Sequence, residues 1–202
     1  MSEVQTAQTP IGDLEWVFIT GKGKKDLNGN DRFVASVVLD TDSDACKEFK
    51  SSIEDYWEAN KPKGAKLKSL GFKILEDENN EPTGRTSFNF WTGIAFPDGQ
   101  PKVVKVFNAK GAEVSLGTKK IGNGSRGRIK GAMAIYDNGP AARGVTLYLN
   151  GIQLTKFIPF EGGVDFDAVD DEEGEGFEGV DDDGMGAIED NEPENTTSKP
   201  RL

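Results

Sequence analysis

The stretch Ile121 to Phe160, IGNGSRGRIKGAMAIYDNGPAARGVTLYLNGIQLTKFIPF, restricts the fold more than any other part of the chain. From Arg126 to Tyr136 the residues alternate with the period of a β-strand. One face carries Ile129, Met133 and Ile135, the other Arg126, Arg128, Lys130 and Tyr136. Asp137-Asn138-Gly139-Pro140 supplies turn chemistry, and the return run sets Val145, Leu147 and Leu149 against Thr146, Tyr148 and Asn150. The two runs predict a long antiparallel hairpin with one apolar face and one face of cations and rings. Pairing Tyr136 with Gly144 puts Lys130 near Asn150 and Tyr148 near Ala132, and a slip of one residue would turn a strand over.

Such a hairpin needs further strands to cover its apolar face. Residues 1 to 12 show no pattern and read as a flexible end. Leu14 to Thr20, LEWVFIT, and Phe33 to Leu39 are runs of β-formers joined by a loop whose Lys22, Lys24 and Lys25 are either phosphate contacts or a solvated tip. Asp40-Thr41-Asp42-Ser43 is a cluster of helix-capping residues. Beyond it Cys46, Phe49, Ile53, Tyr56 and Trp57 recur at helical spacing as far as Asn60-Lys61-Pro62. Tyr56 and Trp57 lie on that apolar stripe and read as core, and the thiol of Cys46 reads as buried with them. After a lysine-rich loop and a strand near Phe72, the run Arg85 to Phe96 puts Phe88, Phe90, Ile94 and Phe96 inward and Asn89 and Trp91 outward. Past the Pro97-Asp98-Gly99 turn, Val104 and Val106 face in while Lys105 and Phe107 face out together.

Six or seven strands and one amphipathic helix, separated by tight turns, predict a mainly β domain over residues 13–160. An OB-fold-like antiparallel β-barrel suits this count, and an immunoglobulin-like sandwich has a similar one. From residue 161 the composition changes to Gly, Asp and Glu with few apolar groups, a disordered acidic tail over 161–202.

The net charge of −11 divides unevenly. Residues 161–202 hold 16 Asp or Glu against 2 Lys or Arg, or −14, leaving 19 acids and 22 bases, or +3, in the first 160 residues. Between Lys61 and Phe160 the balance is 16 bases to 7 acids, or +9, so positive charge concentrates where the sequence reads as sheet. A basic sheet with its own acidic tail suggests a nucleic-acid surface and an internal competitor for it. The chain has no histidine and one cysteine, which removes the usual zinc and histidine-dependent catalytic arrangements. No metal or cofactor is expected. The spacing Asp165-x-Asp167-x-x-Asp170 lacks the order of a calcium loop. No apolar run of about 18 residues is present for a membrane span, and MSEVQTAQTP is unlike a signal peptide, so a soluble, cytoplasmic protein is expected.

The run KVVKVFNAK (Lys102 to Lys110), then Ile121-Gly122-Asn123-Gly124-Ser125-Arg126-Gly127, the hairpin ending GVTLYLNGIQLTKF and the acidic tail with an embedded Phe resemble the single-stranded DNA-binding proteins of tailed bacteriophages. The resemblance covers roughly residues 85 to 180. It implies an OB-fold that coats single-stranded DNA in phage replication, recombination and repair, acting in the host cytoplasm. It also implies a tail that contacts replication proteins such as DNA polymerase or helicase and competes for the DNA groove. In such proteins an aromatic residue often ends the chain. Here the end is Arg201-Leu202, and Phe166 and Phe177, set among Asp170, Asp171, Glu172, Glu173, Asp181, Asp182 and Asp183, are the internal substitutes.

On this reading Lys102, Lys105, Lys119, Lys120, Arg126, Arg128 and Lys130 neutralise phosphates, while Trp91, Phe107, Tyr136 and Tyr148 stack on bases. No base-edge code is evident, so binding largely independent of sequence is expected. A DNA-mimicking decoy acting through its tail is the alternative, and a duplex or RNA binder of the same fold stays open. An enzyme is set aside because the body's carboxylates are scattered over the helix exterior and loops. The oligomeric state is open, a homodimer included.

Overall fold

The computed structural model describes residues 4–139 and 142–160. Its strands are β1 (Gln5–Gln8), β2 (Gly12–Phe18), β3 (Lys24–Lys25), β4 (Asp31–Asp40), β5 (Phe72–Glu76), β6 (Pro82–Gly93), β7 (Lys105–Phe107), β8 (Ser125–Asp137) and β9 (Arg143–Lys156), with one helix, α1 (Asp44–Asn60), between β4 and β5. β8, β2, β4, β6 and β9 pair in that order, and β9 returns to β8, so five strands close a barrel. All these pairs are antiparallel except β6 with β9, where Phe90 lies opposite Leu147 and Trp91 opposite Tyr148 in parallel register. This is the OB-fold-like barrel, and closure removes the exposed edges an open sheet would leave.

The expected hairpin is present. Tyr136 pairs with Gly144 and Ala132 with Tyr148. Lys130, however, pairs with Gly151 rather than lying beside Asn150, because a bulge between Lys130 and Gly131 leaves Asn150 as the extra residue. The inward set fills the barrel: Ile129, Met133, Val145, Leu147 and Leu149 pack with Leu14, Val37, Phe88 and Phe90. α1 covers the core with Cys46, Phe49, Ile53, Tyr56 and Trp57, the ring of Phe49 standing edge-on to Phe88 at 4.9 Å. Its ends follow the sequence, since Ser43 Oγ accepts from the Cys46 N–H and the Lys61 N–H closes on the Trp57 carbonyl before Pro62. Burial pushes the Cys46 thiol above its ordinary pKa, which keeps it protonated.

Two expectations are corrected. The N-terminal segment is not a free end: Gln5–Gln8 adds to the outer edge of β8 opposite Met133 to Lys130. The Thr9 N–H and Oγ1 then bond the Ile129 carbonyl and N–H at 2.9 and 3.0 Å. Backbone pairing, with only Ala7 buried, holds this strand, so its side chains carry no alternation to read. Phe96 is not core but 51% exposed. β6 ends at Gly93, and Phe96 sits in the following turn, where its N–H meets the Gln100 carbonyl and the strand period no longer applies.

Candidate nucleic-acid interface

The alternation of β8 points Arg128, Lys130 and Ala132 outward, and β1, β9 and β7 continue that face on either side. Between these strands runs a groove of about 650 Å³, to which β1 gives Thr6 and Gln8, β8 Arg128 and Lys130, β9 Asn150 and Gln153, and β7 Lys105 and Phe107. Gln153 ties it together. Its Oε1 accepts from Arg128 Nε at 2.7 Å, and its Nε2 donates to the carbonyls of Asn108 and Ala109 at 3.0 and 3.2 Å. Arg128 is thereby held by a neutral partner, with no carboxylate at ion-pair distance among the described residues. Lys105 is instead paired with Glu113 at 2.9 Å.

Tyr148 connects this groove to a second. It pairs with Ala132 of the first groove on one side and with Trp91 of the second on the other, and the Trp91 and Tyr148 rings meet edge to face at 5.1 Å. Trp91 is fixed by its indole N–H, which donates to Thr146 Oγ1 at 2.8 Å. The second groove, about 580 Å³, runs over β4 and β6 and is lined by Trp16, Lys24, Arg32, Lys73, Asn89 and Trp91 among others. The Arg32 guanidinium lies 3.9 Å above the Trp91 ring centroid and is held there by Asp26. Backbone N–H donation from Asn30, with the Arg32 guanidinium beside it, lowers the Asp26 carboxyl to about 2, so the clamp is ionised throughout the physiological range.

Trp16 reaches this groove through a fault in its strand. Strict alternation in β2 would bury Trp16 and Phe18 together with Leu14. A bulge between Glu15 and Phe18 places Trp16 at φ 54°, with its N–H on Asn123 Oδ1 at 3.0 Å, and buries Val17 in its stead. Trp16 is left 56% and Phe18 40% exposed, with the Lys24 ammonium 5.3 and 5.9 Å from their ring centroids.

Of the residues singled out in the sequence, Lys105, Phe107, Arg128 and Lys130 come together in the first groove, and Trp91 and Tyr148 form the junction. The others lie elsewhere. Lys102 hydrogen-bonds Thr92 Oγ1 at 3.2 Å and covers the Phe96 ring at 5.0 Å. Lys119 and Lys120 line a small pocket with Lys22 and Phe18. Arg126 faces Asp13 at 3.9 Å, within a charge cluster that includes Arg85 and Glu15. Tyr136 is at the far end of the hairpin opposite Gly144, and Lys25 is paired with Asp31 at 3.1 Å. Phe166, Asp170, Asp171, Glu172, Glu173, Phe177, Asp181, Asp182 and Asp183 lie outside the described residues. Sequence reasoning missed Trp16, Phe18, Arg32, Lys73 and Gln153. Among the described residues no three His, Cys, Asp or Glu side chains converge as metal ligands, and no helix is long and apolar enough to cross a membrane.

Known structures share this architecture. The chain matches gp2.5, a single-stranded DNA-binding protein encoded by bacteriophage T7, with a TM-score of 0.57 and 21% identity over 80% of this chain and 91% of that one. The single-stranded DNA-binding protein from bacteriophage Enc34, solved in complex with ssDNA, matches at TM-score 0.56 and 12% identity, over 77% of this chain and 89% of that one. The fold is that of these phage proteins. At such identities the likeness is one of fold, and no family model or curated protein sequence matches the chain.

Proposed function

We propose that this protein binds and coats single-stranded DNA through the outer face of its barrel, largely independently of sequence. One observation carries the reading. Rings and cations follow one another without a break from Phe107, Arg128 and Lys130 through Tyr148 and Trp91 to Arg32, Lys24 and Trp16. Cations neutralise phosphates and release counterions, while rings stack on the faces of unpaired bases, which a duplex keeps covered. The phage proteins of the same fold support this choice of ligand. The protein acts by binding, not catalysis, in replication, recombination and repair of phage DNA in the host cytoplasm. Residues 161–202, at −14, contact replication proteins and compete with DNA for the basic face.

The test is fluorescence anisotropy with labelled oligo(dT), titrating the full chain and a chain ending at Phe160 at two salt concentrations, with duplex as competitor. The shortened chain binds more tightly than the full one, outlasts the duplex competitor and weakens steeply with salt. Absence of binding by either chain rejects the proposal and turns attention to the tail as a DNA-mimicking decoy.

A further inference from the structure

The Arg32 guanidinium lines the second groove but is bound on two sides. It lies 3.9 Å above the Trp91 ring centroid, and its Nε donates to Asp26 Oδ2. Asp26 opens the loop between β3 and β4, and its carboxylate organises that loop. Oδ1 accepts from the Asn28 and Asn30 N–H groups, each at 2.9 Å, and Oδ2 accepts from the Asn30 side-chain amide at 3.2 Å. The Asp26 N–H closes the loop on the Asn30 carbonyl at 2.9 Å. The loop thus fixes the carboxylate, and the carboxylate fixes Arg32. A phosphate brought to this guanidinium would stand beside a held carboxylate and be repelled by it. The face of a base carries no net charge and meets no such repulsion, and a guanidinium plane stacks on it as on an aromatic ring. Trp16, more than half exposed, lines the same groove. Lys24 and Lys73 line it too, with no carboxylate at ion-pair distance among the described residues, so cations for the flanking phosphates are already present.

We infer that Asp26 is a positioning residue for DNA binding, which holds the Arg32 guanidinium over Trp91 as a surface for a base to stack on and withdraws it from the phosphate ligands. The inference rests on the single-strand reading and divides the work within one groove. Arg32 and Trp16 supply surfaces for bases, whereas Lys24 and Lys73 take phosphates. On the side that Arg32 covers, Trp91 meets a base only through the guanidinium, and its edge is engaged by Tyr148 at 5.1 Å. Every base has a face to stack, so this division leaves binding indifferent to sequence.

Oligo(dT) and an oligomer of equal length that is abasic throughout carry the same phosphates, but only the first has bases to stack. The ratio of their affinities for the full chain, at one salt concentration, therefore reads stacking and cancels phosphate contacts. Arg32→Lys keeps the charge and loses the plane. Asp26→Asn keeps an oxygen for the loop's N–H groups and sets an amide donor against Arg32 Nε. Circular dichroism establishes that each variant is folded. Each lowers the dT-to-abasic ratio about three- to tenfold, the value of one cation–π contact, and the double variant lowers it no further than Arg32→Lys alone. The positive charge that Asp26→Asn uncovers raises both affinities and leaves the ratio as it is. If either single variant keeps the parent's ratio, whether the two affinities move together or not at all, Arg32 is not a stacking surface held by Asp26, and the inference is rejected while single-strand binding stands. A double variant that falls below Arg32→Lys means Asp26 acts on the groove other than through Arg32, and also rejects it. If the parent does not bind oligo(dT), the single-strand reading itself fails and the inference with it.

Discussion

Trp16 and Trp91 belong to one groove but are held in opposite ways, and the difference separates binding from folding. Trp91 gives its indole N–H to Thr146, its edge to Tyr148 and one face to Arg32, so its removal costs packing and a hydrogen bond. Trp16 projects from a bulge, more than half exposed, held by its backbone N–H on Asn123 and with only the exposed Lys24 ammonium over its ring among the described residues. Trp16→Ala therefore lowers oligo(dT) affinity by about 1–3 kcal/mol, the value of a lost stacking platform, while stability stays within about 0.5 kcal/mol. Trp91→Ala lowers stability by about 2 kcal/mol as well as affinity. Anisotropy and urea unfolding on the two variants decide it; a Trp16→Ala protein that binds like the parent removes Trp16 from the interface. The contrast also marks what was legible. Trp91 was readable because it stands among polar neighbours in an unbroken alternation. Trp16 was not, because one bulged residue reverses the faces of LEWVFIT and leaves no trace in composition. Asn123 is its only signal, and it becomes one once β8 has brought the loop beside β2.

At the scale of elements, the β8–β9 hairpin shapes the barrel by two bulges, at Arg126/Gly127 and Lys130/Gly131, each with a glycine on the inner face. A Cβ on Gly131 would lie 1.8 Å from the Tyr148 carbonyl oxygen, and one on Gly127 would lie 2.2 Å from that of Gln153. Both obstacles are backbone of the partner strand, which cannot turn aside as a side chain would. These glycines let β9 curl tightly over β8, which aims Tyr148 at Trp91 and Gln153 at Arg128. Gly131→Ala accordingly destabilises the fold by about 3 kcal/mol, read as a fall in the urea midpoint. A loss below about 0.5 kcal/mol would mean the hairpin adjusts freely and the bulge is not needed for closure. The alternation and the turn fixed the register at the Tyr136 end, before any bulge intervened. Beyond Lys130 the sequence pattern alone misplaces β9 by one residue, since a bulge is specified by close backbone approach rather than by side-chain type.

For the molecule as a whole, charge sets the salt dependence, and pairing decides how much of the charge is available. Of the seven cations the sequence offered for phosphate, Lys105 is matched by Glu113 and Arg126 by Asp13, while Lys102, Lys119 and Lys120 lie outside the two grooves. The grooves also gain Lys73, which the sequence reading did not weigh, and Lys24, which it left between a phosphate contact and a solvated tip. With Arg128 and Lys130 these line the grooves with no carboxylate at ion-pair distance among the described residues, whereas Arg32 is neutralised by Asp26. Each phosphate neutralised on a single strand contributes about −0.7 to the slope of log affinity against log salt. Four free cations give a slope of about −3, and the seven sequence candidates would give about −5. The measurement is a salt titration of oligo(dT) binding by the chain ending at Phe160, which removes the acidic segment as a competing polyanion. Lys130→Glu and Lys73→Glu each flatten the slope by roughly one phosphate's share. Lys119→Glu/Lys120→Glu leaves it unchanged, because those ammonium groups sit beside Phe18 and Leu116, away from the path that Tyr148 and Trp91 define. A slope near −5 that falls with the Lys119/Lys120 pair would extend the DNA path across the β2–β3 loop, and the two grooves would then be only part of the surface.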